Sequence, residues 1–254
     1  MDNYKFLEDS PWFIFMNHGY SPASKLLDEN NIFINSASLY LKLLDDIDTK
    51  GKTILDVGCG RGGGVKTYSE VLEFNKIHAC DYNEKFIDFC KHTHTGIEFD
   101  VCSATSLSEK YKEKSFDIIT NVESSHCYYD GYADPISKIG GGNAIREKHI
   151  LGLNMFFDGV KSILKPNGVF CYTDSFSTLQ LDELKLSTFE DGFKNIISTD
   201  ITNNVILACE EMLEKNIPKM PNGIVKKFIE NTTSGMYFNY TKNGMKYLTF
   251  VCYT

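Results

Sequence analysis

Nowhere in the chain is there a block of lysine or arginine, and acids outnumber bases 34 to 26, for a net charge of −8. Nucleic acid as the main partner is disfavoured on that count, because phosphate contacts need a basic footprint. A local basic groove stays open. No apolar run approaches the roughly 20 residues of a membrane-spanning helix. The opening stretch MDNYKFLEDSPWFIF is acidic and lacks the basic start of a secretory signal, so a cytoplasmic location is expected. The eight cysteines contain no Cys-x-x-Cys pair. Free buried thiols in a reducing compartment are therefore expected, rather than disulfides or a metal site. Internal repeats and low-complexity linkers are also missing, which leaves 254 residues to form one domain with a sizeable core.

The most informative stretch present is Ile54-Leu55-Asp56-Val57-Gly58-Cys59-Gly60-Arg61-Gly62-Gly63-Gly64. Thr53 to Val57 reads as a short buried strand with an acid near its end. The glycines permit a sharp turn and close approach to a ligand. A helix is predicted to open at about Gly63, with its free N–H groups toward the turn. Gly58-x-Gly60-x-x-Gly63 matches the dinucleotide fingerprint, and Asp81 lies near the spacing of a ribose-binding acid. Asp56 separates the alternatives. A turn built for pyrophosphate does not want a carboxylate two residues before its first glycine, whereas a cofactor carrying an ammonium and a sulfonium does.

LDVGCGRGGG thus resembles motif I of the class I S-adenosylmethionine-dependent methyltransferases. The resemblance implies a Rossmann-like α/β fold. Its seven-stranded sheet would be mostly parallel with an antiparallel last strand and helices on both faces. An N-terminal helical and aromatic arm (1–48) would precede the cofactor-binding core (49–202), a helical cap (203–245) and the last strand (246–254). It also implies that Asp56, Gly58, Cys59 and Gly60 hold the methionine end of S-adenosylmethionine. Asn17-His18-Gly19-Tyr20 resembles a segment whose tyrosine closes over the cofactor carboxylate, a role carried here to Tyr20 and not to His18.

Residues 22–48 carry leucines at helix-like intervals. Lys76 to Cys80 reads as the second strand, with Asp81 at its end to accept the ribose hydroxyls and Tyr82 against the adenine face. Asp81 could equally cap the helix opening at Asn83. After a third strand, Ile97 to Cys102, the family usually reads Gly-Asp-Ala. Here Ser103-Ala104 stands in that place, so a hydroxyl replaces the acid expected to meet the adenine amine.

Ser115 to Val122 is the fourth strand, and Asn121 is expected under the cofactor. The following NVESSHCY resembles the loop of methyltransferases acting on polyketides, glycolipids and sugar-bearing natural products. Ligands of open α/β sheets bind beyond the carboxyl ends of the strands, which sets His126 where an acceptor would meet the methyl group. Imidazole is suited to take a proton from an attacking hydroxyl near neutral pH. Residues 128–149 are longer than such a connection requires and are read as a mobile lid or substrate-facing loop. Helices at about 144–164 and 178–193, strands Val169 to Thr173 and Asn195 to Thr202, and a helix to about Asn216 follow. Asp174, after the fifth strand, is the second catalytic candidate, to orient His126 or to bind the acceptor, with capping of the next helix as the competing reading. Val225 to Asn231 is read as a short helical piece, and KYLTFVCY (246–253) as the last strand, antiparallel beside the fifth. Met212, Met220, Met236, Tyr237, Phe238 and Tyr240 are expected to roof an apolar acceptor pocket.

The expected activity is O-methylation of a small hydroxylated molecule of polyketide, lipid or sugar origin, apolar or aromatic in character, with a homodimer compatible with the sequence. Three rivals stand beside it: a sterol-type C-methyltransferase, an NAD-dependent oxidoreductase, and a non-catalytic cofactor-binding protein.

Overall fold

The computed structural model describes Leu7 and residues 10–128 and 143–254. The connection read as a lid falls mainly on 129–142, outside the described residues. Seven strands form one sheet: β1 (Thr53–Val57), β2 (Lys76–Asp81), β3 (Glu98–Val101), β4 (Phe116–Val122), β5 (Leu164–Phe176), β6 (Asn195–Asp200) and β7 (Lys246–Tyr253). Their order is β3-β2-β1-β4-β5-β7-β6. β1 to β5 run parallel, and β7 runs antiparallel between β5 and β6. The fold is Rossmann-like, and strand order reverses between β1 and β4, the switch point where ligands of such sheets bind.

The period-2 alternation of strand side chains divides the interior into two cores. Ile54 of β1 enters the first, with α1 (Ile34–Leu43), α2 (Gly63–Val71), α3 (Glu84–Thr93), α7 (Thr202–Glu211), α8 (Ile224–Lys242) and the aromatic arm. Its neighbour Leu55 enters the second, with α4 (Leu107–Lys110), α5 (Asn143–Ile163) and α6 (Thr178–Leu186). All eight cysteines are free thiols, and all but Cys127 are buried. Among the described residues no helix is long and apolar enough to cross a membrane.

Several elements differ from the sequence reading. Within 22–48 only Ile34–Leu43 is α-helical. Upstream, side chains serve the backbone instead: Asp28 Oδ1 accepts from Asn30 N (2.9 Å) and Asn31 Oδ1 from Phe33 N (2.9 Å), a competition that Asp and Asn win in turns. The piece read as short at Val225 is the 19-residue α8. Its polar Asn-Thr-Thr-Ser-Gly centre conceals a buried seam at Val225, Ile229, Thr233 and Tyr240. α6 stops at Leu186 rather than near residue 193. β5 runs on past Thr173 to Phe176, so Asp174 lies inside the strand, paired with Leu248.

Candidate active site

β1 ends in the turn that the sequence singled out. Gly58 adopts φ +74°, and its N–H and that of Cys59 both donate to Cys80 O (2.8 and 3.0 Å), tying the turn to β2. A Cβ on Gly58 would lie 2.4 Å from Ser124 Oγ, which packs against it, whereas at Gly60 (φ +55°) a Cβ would have only Met16 Sδ near, at 3.7 Å, so the turn is open there for close approach. Gly64 answers to packing instead: its missing Cβ would meet the Tyr40 ring at 2.2 Å. Asp56 is buried beneath the turn. Its Oδ1 accepts from Thr120 Oγ1 (2.7 Å), while Oδ2 is buried with no hydrogen-bond partner. Burial, with Asp81 nearby, pushes its pKa up to about 7.

Asp81 at the tip of β2 reaches back to the turn. Oδ2 accepts from Gly60 N (2.9 Å) and Oδ1 from Asn83 N (2.9 Å), and burial raises its pKa. Asn83, not Asp81, is the N-cap of α3, accepting from Lys85 N (3.1 Å). Tyr82 beside it is 44% exposed. Ser103 Oγ caps the short turn Ala104–Ser106 through Thr105 N (3.3 Å), and Ala104 is buried in the second core. Asn121 lies under the glycine turn: Nδ2 donates to Val57 O (2.8 Å) and is 2.7 Å from both Ser124 Oγ and Tyr128 Oη. Tyr20 is attached elsewhere. Its N–H donates to Asn35 O (2.9 Å), and its phenol lies close enough to Lys42 to help raise that ammonium's pKa.

The loop after β4 carries the second cluster. Ser125–Cys127 form a 3₁₀ turn packed against β5. His126 Nδ1 is 3.0 Å from Asp174 Oδ1. Asp174 is fully buried and also accepts from Ser125 Oγ (2.7 Å), His126 N (3.3 Å) and Ser175 N (2.8 Å). Burial opposes a charge on His126, but the Asp174 carboxylate outweighs it and holds the imidazole well above its usual pKa. Burial likewise opposes the charge on Asp174, and His126 with the other donors reverses that to keep the carboxyl below its usual range. Asp174 does not cap α6; Ser177 does, in a capping box with Gln180.

Sequence reasoning missed the groups around these residues. Glu123 follows β4 in a left-handed conformation (φ +49°), rare for a side chain of its size. It is buried and accepts from His18 N (2.7 Å) and Tyr247 Oη (2.5 Å), with His18 Nε2 at 3.3 Å. Its place in NVESSHCY was the available signal. Behind the turn, His149 of α5 and Glu183 of α6 pair at 2.7 Å, and nothing in their spacing announces it. Of the residues expected to roof a pocket, Met212, Met220 and Tyr240 lie in the first core, Tyr237 bonds Glu210 (3.0 Å), and Phe238 is 55% exposed.

Comparison with known proteins gives the family. A family model described as "Methyltransferase domain" matches residues 48–232. The chain belongs to this family. As a methyltransferase it takes S-adenosylmethionine as its cofactor. It is 26% identical to the fatty-acid O-methyltransferase of Mycolicibacterium smegmatis over 229 residues, 85% of this chain and 74% of the relative. It is 28% identical to a probable phthiotriol/phenolphthiotriol dimycocerosates methyltransferase 2 of Mycobacterium ulcerans, covering 72% of this chain and 60% of the relative. Its fold is similar to that of a Haemonchus contortus phosphoethanolamine N-methyltransferase 2 bound to S-adenosylhomocysteine (TM-score 0.63, 15% identity, 88% of this chain and 55% of that one). The residues of this methyltransferase fit the cofactor: an Asp56 carboxylate oxygen is buried without a donor, and the backbone at Gly60 is open to close approach.

Proposed function

We propose that this methyltransferase moves the methyl group of S-adenosylmethionine onto an oxygen of a small, apolar or lipid-like acceptor, with His126 as the base. The His126–Asp174 pair carries the reading. Nδ1 is committed to a buried carboxylate, and 40% of the imidazole side chain stays open, so Nε2 is the nitrogen free to meet an acceptor. Both relatives, by their names, act on lipids, and one by O-methylation.

Bound at the glycine turn, the cofactor supplies an electrophilic methyl group on a positively charged sulfur. The protein does the rest. Asp56, with its unpartnered oxygen, would attract the cationic end, with Gly58 and Gly60 in the turn beside it and Asn121 beneath, and Asp81, Tyr82, Ser103 and Ala104 would surround the nucleoside part. Tyr20, its backbone N–H held by Asn35 O, would close its ring over the carboxylate of that end. Asp174 accepts from Nδ1–H and so fixes the tautomer in which Nε2 has a free lone pair. An acceptor hydroxyl held against Nε2 surrenders its proton there while its oxygen forms the new bond to carbon. Alignment of that oxygen behind the methyl carbon supplies much of the rate.

A second reading is favoured by the raised pKa of His126. At neutral pH a charged imidazole would hold a carboxylate acceptor, which has no proton to lose. The two readings have opposite pH signs. With a hydroxyl acceptor, rate rises as pH climbs through the His126 pKa; with a fatty-acid carboxylate, it falls. Assays with an isotopically labelled methyl group and both acceptor types separate them. His126→Ala is expected to cut turnover on a hydroxyl acceptor by about 10²–10⁴-fold while S-adenosylhomocysteine affinity barely moves. Undiminished turnover discards the base, and label on carbon replaces O-transfer by sterol-type C-methylation.

A further inference from the structure

We infer that His149 and Glu183 form a positioning pair that aims His126, a conclusion resting on the reading of His126 as the group that meets the acceptor. His149 on α5 and Glu183 on α6 are each only 5% exposed. His149 Nδ1 is 2.7 Å from Glu183 Oε2, and Nε2 is 3.1 Å from the carbonyl oxygen of Ser125. Ser125 is the residue before His126, and its hydroxyl donates to Asp174 (2.7 Å) and sits 2.5 Å from Tyr172 Oη. A continuous chain therefore runs from α6 through α5 to the turn holding the imidazole.

Hydrogen-bond accounting makes this pair directional. A carbonyl oxygen only accepts, so His149 Nε2 carries a hydrogen. The Nδ1–Oε2 contact needs a second hydrogen on one of its two atoms. With Nε2–H on the Ser125 carbonyl and Nδ1 held against the buried Glu183 carboxyl, the ring is fixed in one orientation. A buried ion pair gains little stability over an apolar pair of the same size. What it supplies here is a fixed N–H aimed at one carbonyl. His126 and His149 also line one small cavity with Ser125, Tyr172, Gln180 and Leu184. Its volume is about 10 Å³, room for roughly one water. The carbonyl of Ser125 is tied on its other side by Tyr128 N (3.0 Å), and Ser124 O by Cys127 N (3.0 Å), so both amides report on the turn.

The test replaces the donor selectively. His149→Gln can still present an N–H near the Nε2 position, whereas His149→Asn places its amide near Nδ1 and withdraws from Ser125. Amide hydrogen exchange at Cys127 and Tyr128 is expected to quicken by about tenfold in His149→Asn and to stay near the original in His149→Gln. Turnover should fall by about 10²-fold in the first and within about fivefold in the second, with KM for S-adenosylmethionine unchanged in both. Glu183→Met, close in length, removes the polar group that holds Nδ1 and lets the ring turn away from the Ser125 carbonyl. It should move exchange and turnover in the same direction, which keeps the test alive should His149→Asn fold poorly. Equal loss in His149→Gln and His149→Asn overturns the inference, as does unchanged exchange at the turn in both His149→Asn and Glu183→Met. His126→Ala runs alongside: full activity there sinks the base, while the exchange data still judge the positioning pair.

Discussion

Replacing Asp174 with asparagine removes a charge while nearly preserving shape, which makes it the sharpest probe of the site. Two unit charges about 4 Å apart interact by about 4 kcal/mol at an effective dielectric of 20. The imidazole is 40% open to solvent, so half of that is a fair allowance after screening. About 2 kcal/mol corresponds to about 1–2 pKa units. In Asp174→Asn the acid limb of the kcat/KM profile for a hydroxyl acceptor should therefore move to lower pH by about 1–2 units. The plateau should drop by about 10²-fold or more, since a carboxamide N–H can face Nδ1 and stabilise the wrong tautomer. Stability gives a second readout with a definite sign. The raised His126 contributes below its unfolded value of about 6.5 and loses that contribution as pH climbs through the folded value. The depressed Asp174 contributes above about 3.9 and loses it as pH falls through its own folded value. Thermal melts of the original protein and Asp174→Asn should differ most between about pH 4 and 6.5, and the difference should narrow as pH climbs through the folded His126 value. An acid limb that stays put in the variant would refute the pairing as the source of the raised imidazole.

Asp56 has a pKa raised to about 7, so the folded chain keeps a proton that the unfolded chain sheds from about pH 4 upward, and stability should fall as pH rises across that window. A cationic cofactor should reverse the shift: calorimetry near pH 6.5 in buffers of different ionisation enthalpy is expected to find proton release on S-adenosylmethionine binding, absent in Asp56→Asn. Gly58→Ala forces a Cβ into a left-handed turn 2.4 Å from Ser124 Oγ; a cost of about 1–2 kcal/mol should lower the melting temperature by a few degrees. Asp81→Ala should weaken cofactor affinity, measured by titration with S-adenosylhomocysteine; intact affinity would remove Asp81 from the ribose.

Strand Thr53–Val57 and the last strand were legible because each concentrates its signal in a few adjacent residues, a buried apolar run in one and β-branched and aromatic residues in the other. His126 and Asp174, 48 residues apart, could be paired in advance because one follows β4 and the other lies near the carboxyl end of the adjacent β5. α8 escaped because Gly235 and its polar neighbours weaken the helical period, while its buried seam becomes visible only once the helix is packed, chiefly against α7. His149 and Glu183 sit on separate helices, and nothing local distinguishes a buried dyad from two solvated residues. The strain at Glu123 is tertiary in origin: Tyr247 and His18 come from opposite ends of the chain to meet it.

The arm has a practical consequence for anyone trimming this protein. Arg61, beside the glycine turn, gives its guanidinium hydrogens to the carbonyls of Phe13 (2.8 Å) and Ser10 (3.1 Å). Glu123, beside the histidine loop, takes its contacts from His18. Residues 10–18 are thus a strap laid across both banks of the cleft. Deleting them would strand a buried guanidinium on one bank and leave a buried carboxylate on the other with Tyr247 as its remaining partner, both unfavourable changes. A shortened version that expresses well but neither loads cofactor nor turns over would be reporting a missing strap, not a missing catalyst.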